Sequence, residues 1–159
     1  MKLEIVDYEP RFRDVFRKLN EAWITEYFAL EDEDRAILGD PETHILKKGG
    51  FIFTALLDGV PVGVVALKKL HDSHYDFEMA KLAVDSTARG NGAGLALGRA
   101  ALSKVRALGG GSVFIISNSR LVPALNLYKK LGFKLLESPE PVPYVRADIQ
   151  FVAHVPAAD

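Results

Sequence analysis

The sequence predicts a mixed α/β domain, and three observations carry that prediction. Residues 2–7 alternate as a strand does, whereas Phe12, Val15, Phe16, Leu19, Ala22, Trp23, Tyr27 and Leu30 recur at three and four, so extended and helical periods follow one another. Asp58-Gly59 lies between two β-rich runs and marks a hairpin. Three glycines at alternate positions, Gly90, Gly92 and Gly94, stand between a strand pattern and a helix pattern. A chain of 159 residues is the size of one domain, taken as 1–159.

The elements follow in order. Pro10 suits the first turn of the helix that carries the apolar stripe. A second short helix covers about 31–38, Gly39-Asp40-Pro41 breaks it, and residues 42–48 form a further turn. Strands are expected at 51–57, 61–69 and 75–84. Within the last, Tyr75, Phe77 and Met79 share one parity while Leu82 and Val84 take the other, the signature of a β-bulge at 79–82. A helix then runs to about Leu108, with Leu97, Ala101, Val105 and Leu108 as its buried stripe, and Gly109-Gly110-Gly111 ends it. Residues 112–117 read as a strand. Asn118 or Ser119 is the expected cap of a helix holding Pro123, Ala124, Tyr128 and Leu131 and ending at Gly132. Strands at 133–136 and 144–153 finish the chain.

Composition removes several functions. Hydrophobic residues are 48% and charged residues 26%, which excludes a disordered chain. The absence of cysteine excludes disulfides, zinc-thiolate sites and cysteine nucleophiles. A net charge of −1 argues against a nucleic-acid partner. Glu4, Asp7 and Glu9 do not fit a signal peptide, and no apolar run approaches the ~18 residues of a membrane span, so the expected location is the cytoplasm with no membrane partner. Charge is nevertheless uneven. Residues 86–136 contain no acid but hold Arg89, Arg99, Lys104, Arg106, Arg120, Lys129, Lys130 and Lys134. Clustered positive potential suits a polyanionic ligand.

The glycine run makes that ligand specific. Glycines that follow a strand and open a helix let backbone N–H groups converge on one point, and the helix N-terminus adds partial positive charge. Arg89 adds a full charge, so the run is a cradle for a pyrophosphate. The chain has no G-x-x-x-x-G-K-[ST] loop. G-x-G-x-x-G fails too, because Leu95 or Leu97 occupies its last position, and no acid follows before Glu137 to hold a ribose.

Arg89-Gly90-Asn91-Gly92-Ala93-Gly94 resembles the R/Q-x-x-G-x-G/A acyl-CoA motif of the GNAT acetyltransferase superfamily, and Ala124-Leu-Asn-Leu-Tyr128-Lys-Lys-Leu-Gly132-Phe133 resembles that family's A-x-x-L-Y-x-x-x-G-F segment. The resemblance implies a mixed, mostly antiparallel central sheet, splayed at a β-bulge and flanked by helices, with the pantetheine arm of acetyl-CoA in the gap. Leu82, Ala83 and Val84 would then meet the pantetheine and thioester, and Arg89, Gly90, Asn91, Gly92, Ala93 and Gly94 the pyrophosphate. Tyr128 matches the family's frequent general acid beside the departing sulfur. The family often has Asn three residues before the motif alanine. Here that position is Leu121, and Asn118 is the candidate to take over the cofactor contact.

The expected activity is therefore N-acetyl transfer from acetyl-CoA to a primary amine, by direct attack on the thioester, with no metal. The expected acceptor is a small molecule, with a protein amine as the other candidate, and the chain acts as a monomer or homodimer. Glu78, just before the bulge, is the candidate base, directly or through water. Trp23, Tyr27 and Phe28 are candidates for one wall of the acceptor pocket, and Tyr144 and Arg146 for the other. The acidic run Glu31-Asp32-Glu33-Asp34 reads as a solvated helix start, with a weak pull on cationic acceptors as its functional alternative. His71 and His74 form H-x-x-H without a third ligand nearby. An acyl-CoA-binding sensor without turnover and a nucleotide-binding regulatory domain are the rival readings.

Overall fold

A computed structural model describes residues 1–159. Its elements are β1 (Leu3–Asp7), α1 (Arg13–Tyr27), α2 (Asp32–Gly39), β2 (Phe51–Leu57), β3 (Val60–Lys69), β4 (Phe77–Val84), α3 (Ala93–Ala107), β5 (Gly111–Ser117), α4 (Val122–Lys130), β6 (Lys134–Leu135) and β7 (Ile149–Val155). This is the expected order. Short 3-10 turns at Pro10–Phe12 and Ser86–Ala88 and a π turn at Glu42–Leu46 fill the connections.

The seven strands form one sheet in the order β1-β2-β3-β4-β5-β7-β6. Every neighbouring pair is antiparallel except β4 with β5. α3 covers one face, where Leu97, Ala101 and Val105 pack on Phe53, Val65, Leu67, Phe77 and Met79. α1 and α2 cover the other, where Phe16, Ile24, Ile37 and Leu38 meet Ile52, Val64, Ala66 and Ala83. Each such buried side chain contributes about 1.5–3 kcal/mol.

The bulge stands where the parity break places it. Val64 pairs with Ala83 and Ala66 with Ala80, so Lys81 and Leu82 together oppose Val65 alone. Phe77 and Met79 therefore face the α3 side, while Ala83 faces the α1–α2 side and Leu82 and Val84 pack against the α3 cluster. On its other edge β4 pairs with β5 only at Phe77–Val113 and Glu78–Phe114. Beyond those two pairs the strands diverge and the sheet opens.

Five expectations need correction. Leu108, expected in the buried stripe of α3, is 52% exposed because the helix ends at Ala107 and the residue follows its last turn. The buried face of α1 is Phe16, Asn20 and Ile24, whereas Ala22 and Tyr27 are exposed. Asn20 escapes an apolar-stripe reading because its Nδ2–H donates to the Phe16 carbonyl and its Oδ1 accepts from Trp23 Nε1–H, which satisfies it inside. The cap of α4 is Leu121, not Asn118 or Ser119, since Asn118 is turned toward Arg146 and Ser119 bonds Asp148. The last long strand starts at Ile149, and residues 144–147 are irregular because their groups are bonded to α2 instead of a strand. The third strand starts at Phe77, because Asp76 is held by Ser112, which donates from both N–H and Oγ to its carboxylate.

Candidate active site

A cavity of about 370 Å³ fills the β4–β5 gap, lined by Glu78 to Val84 on one side and Ile116 to Asn118 and α4 on the other. A second groove of about 340 Å³ continues it over the α3 N-terminus and shares Val84, Arg89, Gly94, Pro123 and Leu127 with it.

The groove is built for an anion. Gly90 and Gly92 have φ of +89° and +78°, a region open to glycine and strained for other residues. Gly92 caps α3, and the first intrahelical bond from this turn is Ala96 N–H to the Gly92 carbonyl at 3.0 Å. The N–H groups of Ala93, Gly94 and Leu95 thus have no helical partner and stand at the positive end of the helix dipole. Arg89 and Lys130 line the same groove. Two cations and three convergent N–H groups suit a diphosphate. Asn91 does not line the groove, because its Nδ2–H donates to the Ala88 carbonyl at 2.9 Å and staples the loop. Of the eight basic residues of 86–136, Arg89 and Lys130 are the two that line this groove.

In the gap, Leu82, Ala83 and Val84 line the cavity. No strand pairs the β4 edge that faces β5 beyond Glu78, so its backbone groups are open to a ligand. Asn118 lines the cavity too, but both its polar atoms are engaged, Nδ2 with the Arg146 carbonyl at 2.6 Å and Oδ1 with the Arg120 N–H at 2.8 Å. Its side chain ties the Arg146 carbonyl to the Arg120 N–H at the cavity wall. Leu121 lines the cavity as an apolar surface.

Tyr128 projects from α4 into the same space and is buried, its ring edge-on to Phe133 and Phe151 at 6.3 and 5.6 Å between centroids. Burial pushes its phenol up to about 12, with Ser117 opposing the shift. Glu78 lies on the opposite wall, 3.5 Å from Lys68 across the β3–β4 ladder. Burial raises its pKa above the usual carboxylate range, against the opposing pull of Lys68 and Lys81.

Trp23, Tyr27, Phe28, Tyr144 and Arg146 gather at the far end of the cavity. The acidic run behaves differently from a solvated helix start. Asp34 is fully buried, and Glu31 forms a capping box with it. Arg146 grips Asp34 through two nitrogens at 2.7 Å each, and Lys81 Nζ donates to it at 2.5 Å. Burial would raise the Asp34 carboxyl, but these donors outweigh it and hold it at about 2. Glu31 and Asp34 are thus paired within the fold, whereas Glu33 of the same run has no ion-pair partner and acts electrostatically on Glu78 and Tyr144. Arg146 is likewise committed to Asp34 and Glu31. Arg120 is the cation left over. It donates to the Tyr27 carbonyl at 3.2 Å, lies 5.3 Å from the Phe28 ring centroid, and has no carboxylate within salt-bridge distance. Lys81 carries no motif in the sequence, Asp34 stands there only within the acidic run, and Arg120 only within the basic stretch. A lysine amid the apolar run Phe77–Val84, inside the parity break, was the one available signal. His71 bonds the Lys48 carbonyl and His74 pairs with Glu140, so the H-x-x-H rings take separate partners.

The family model described as the acetyltransferase (GNAT) family matches residues 10–133, most of the chain. The chain belongs to the GNAT acetyltransferase family. Among sequence relatives, the N-acetylaspartate synthetase of Rattus norvegicus is 35% identical over 98 residues, covering 61% of this chain and 32% of that protein. That of Xenopus tropicalis is 33% identical over 106 residues, covering 66% and 39%. The chain thus spans about a third of the length of the curated relatives it matches. Among solved structures, a GNAT acetyltransferase of Staphylococcus aureus superposes with a TM-score of 0.80 at 15% identity, covering 97% of this chain and 99% of that one. A phosphinothricin acetyltransferase of Sinorhizobium meliloti, solved with acetyl-CoA, gives 0.78 at 15% identity, covering 98% and 90%. These two likenesses concern the fold. No helix of this GNAT chain is long and apolar enough to cross a membrane.

Proposed function

We propose that this GNAT protein acetylates the primary amine of a small, carboxylate-bearing molecule. The observation that carries the reading is the continuity of the anion groove with the β4–β5 gap, which puts the open β4 backbone, Tyr128 and Glu78 around one space. Acetyl-CoA supplies an activated acyl group. The residues of this chain do the rest. N–H groups of Ala93, Gly94 and Leu95, with Arg89 and Lys130, hold the diphosphate. The backbone N–H of Leu82, beside the bulge, donates to the thioester carbonyl and stabilises negative charge there. Glu78 takes a proton from the incoming ammonium, directly or through water, so that the neutral amine attacks. Tyr128 O–H donates to the departing sulfur. An acid-quenched assay of thiol release against a panel of amines tests the reading, and no release with any amine would overturn it in favour of a binding-only role.

The carboxylate requirement rests on Arg120, a guanidinium at the cavity mouth without an acidic partner, and on the relatives named for making N-acetylaspartate. Arg120→Gln is expected to raise KM for amino-acid acceptors about 10- to 100-fold, the worth of a charge-assisted hydrogen bond at roughly 1.5–3 kcal/mol. KM for a neutral amine of similar size should stay put. An equal effect on both, or none, would remove Arg120 from the acceptor site.

The pH dependence tests Glu78. Its base form is the carboxylate, and its folded pKa is raised, so kcat/KM falls as pH drops through a value above the ordinary ~4.3 of glutamate. Because the folded state holds this proton more tightly than the unfolded chain, the same group favours folding at low pH, and that contribution is lost as pH rises through the raised value. Glu78→Gln should erase the acid limb and lower kcat/KM at neutral pH by about 100-fold, the low end for a general base because Lys68 restrains the carboxylate. An unchanged acid limb in the variant would assign the proton to another group.

A further inference from the structure

Lys81 has a backbone conformation that its residue type avoids. Its φ is +56°, and the other two non-glycine residues at positive φ are Asp58 and Asp72, short polar side chains in turns. For a lysine inside a strand that conformation is strained, and it persists only where the surroundings over-determine it. The surroundings here are a single carboxylate. The Lys81 side chain is 4% exposed, and its Nζ donates to Asp34 Oδ1 at 2.5 Å and to Tyr144 Oη at 3.2 Å. Asp34 itself cannot swing. It also accepts from the Glu31 N–H at 2.9 Å and from both Arg146 nitrogens, which uses the full acceptor capacity of a carboxylate. One group on α2 therefore fixes the bulge of β4 from one side and the loop before β7 from the other.

We propose that Asp34 is a positioning residue: through Lys81 it locks the bulge in its left-handed turn and so aims the Leu82 N–H into the gap. This rests on the reading of that gap as the thioester site. Asp34 and Lys81 are spent on each other and on Arg146 and Tyr144, so the role is carried through the backbone of residue 81 and not by contact with substrate.

The backbone route makes a specific prediction, because glycine adopts positive φ unaided whereas alanine does not. Lys81→Ala and Lys81→Gly delete the same ammonium and leave Asp34 with Arg146. They differ in what residue 81 accepts. The alanine variant is expected to turn over about 10- to 100-fold more slowly than the glycine variant, the scale of a misplaced catalytic group. Both should bind inorganic pyrophosphate with the same Kd by calorimetry, since the diphosphate groove is not lined by residues 81 and 82. Asp34→Asn should behave like Lys81→Ala, and Asp34→Asn combined with Lys81→Gly should recover to the level of Lys81→Gly alone. Equal turnover in the alanine and glycine variants overturns the proposal. So does a double variant as slow as the product of the two single losses, which would mean that Asp34 acts elsewhere. Should Asp34→Asn fail to fold, the Lys81 pair decides the matter. The amide 15N shift of Leu82 in ligand-free protein gives a readout independent of catalysis. It should move in Lys81→Ala and return in Lys81→Gly. A conserved shift pattern of this kind with no coenzyme A binding by the wild type would leave the clamp standing and remove the thioester site.

Discussion

Tyr128→Phe is expected to lower kcat by roughly 10²–10⁴, the usual worth of a positioned proton donor, with little change in coenzyme A affinity or Tm. Phenylalanine keeps the ring against Phe133 and Phe151 and removes only the hydroxyl. The sign of the pKa shift refines the role. A phenol pushed up to about 12 stays protonated at every working pH, instead of titrating near the ordinary value of about 10. It is a weaker acid than a thiol of pKa about 8.5, so complete transfer to a thiolate is uphill by about 5 kcal/mol. In the proposed reaction Tyr128 is therefore expected to serve as a hydrogen-bond donor to developing charge on sulfur, with the final proton coming from solvent. The pH profile should show no basic limb near 10 that disappears in the variant. Wild-type turnover in Tyr128→Phe, where chemistry limits the rate, would return the residue to a packing role.

Gly92→Val is expected to weaken coenzyme A binding by at least about 100-fold, the loss of two charge-assisted hydrogen bonds at roughly 1.5–3 kcal/mol each. A side chain at residue 92 would meet nothing within 4 Å, so the effect is conformational and not a clash. A β-branched residue rejects φ of +78° and would drag the cap toward extended geometry, turning the Ala93 and Gly94 N–H groups out of line. Gly94→Val should act differently, by crowding, because its added Cβ would sit 3.2 Å from Leu127 Cδ2. Calorimetry on folded protein separates these from global damage. Unchanged affinity in Gly92→Val would remove the diphosphate from this loop.

What the sequence made legible was local. The glycine turn that opens α3, the Asp58-Gly59 hairpin and the parity break before Leu82 each depend on residues within one turn or strand, and each lies where the sequence places it. The bulge was visible because the large apolar residues of β4 alternate and that alternation shifts by one position between Met79 and Leu82. The buried ion-pair cluster around Asp34 was not legible, because it is made by partners far apart in the chain. Lys81 is 47 residues from Asp34, and Arg146 is 112. From sequence alone, Glu31 to Asp34 has the composition of a solvated helix start, and only the arrival of two distant cations turns Asp34 inward. Arg146 looked available for an acceptor for the same reason. Asn20 shows the converse, a polar residue that local hydrogen bonds make fit for the core.

The two-residue β4–β5 ladder has a thermodynamic consequence. A sheet held at its centre by so short a seam is two half-sheets joined like the covers of a book, with unpaired backbone along the spine. A ligand laid in that spine takes the place of a missing ladder, so it binds the closed book and not the unfolded chain. Saturation then becomes part of the stability of the protein. At 100 times Kd the added stabilisation is about 2.7 kcal/mol, which for a chain of this size raises the midpoint by about 5–10 °C. The melting curve then reports how full the spine is.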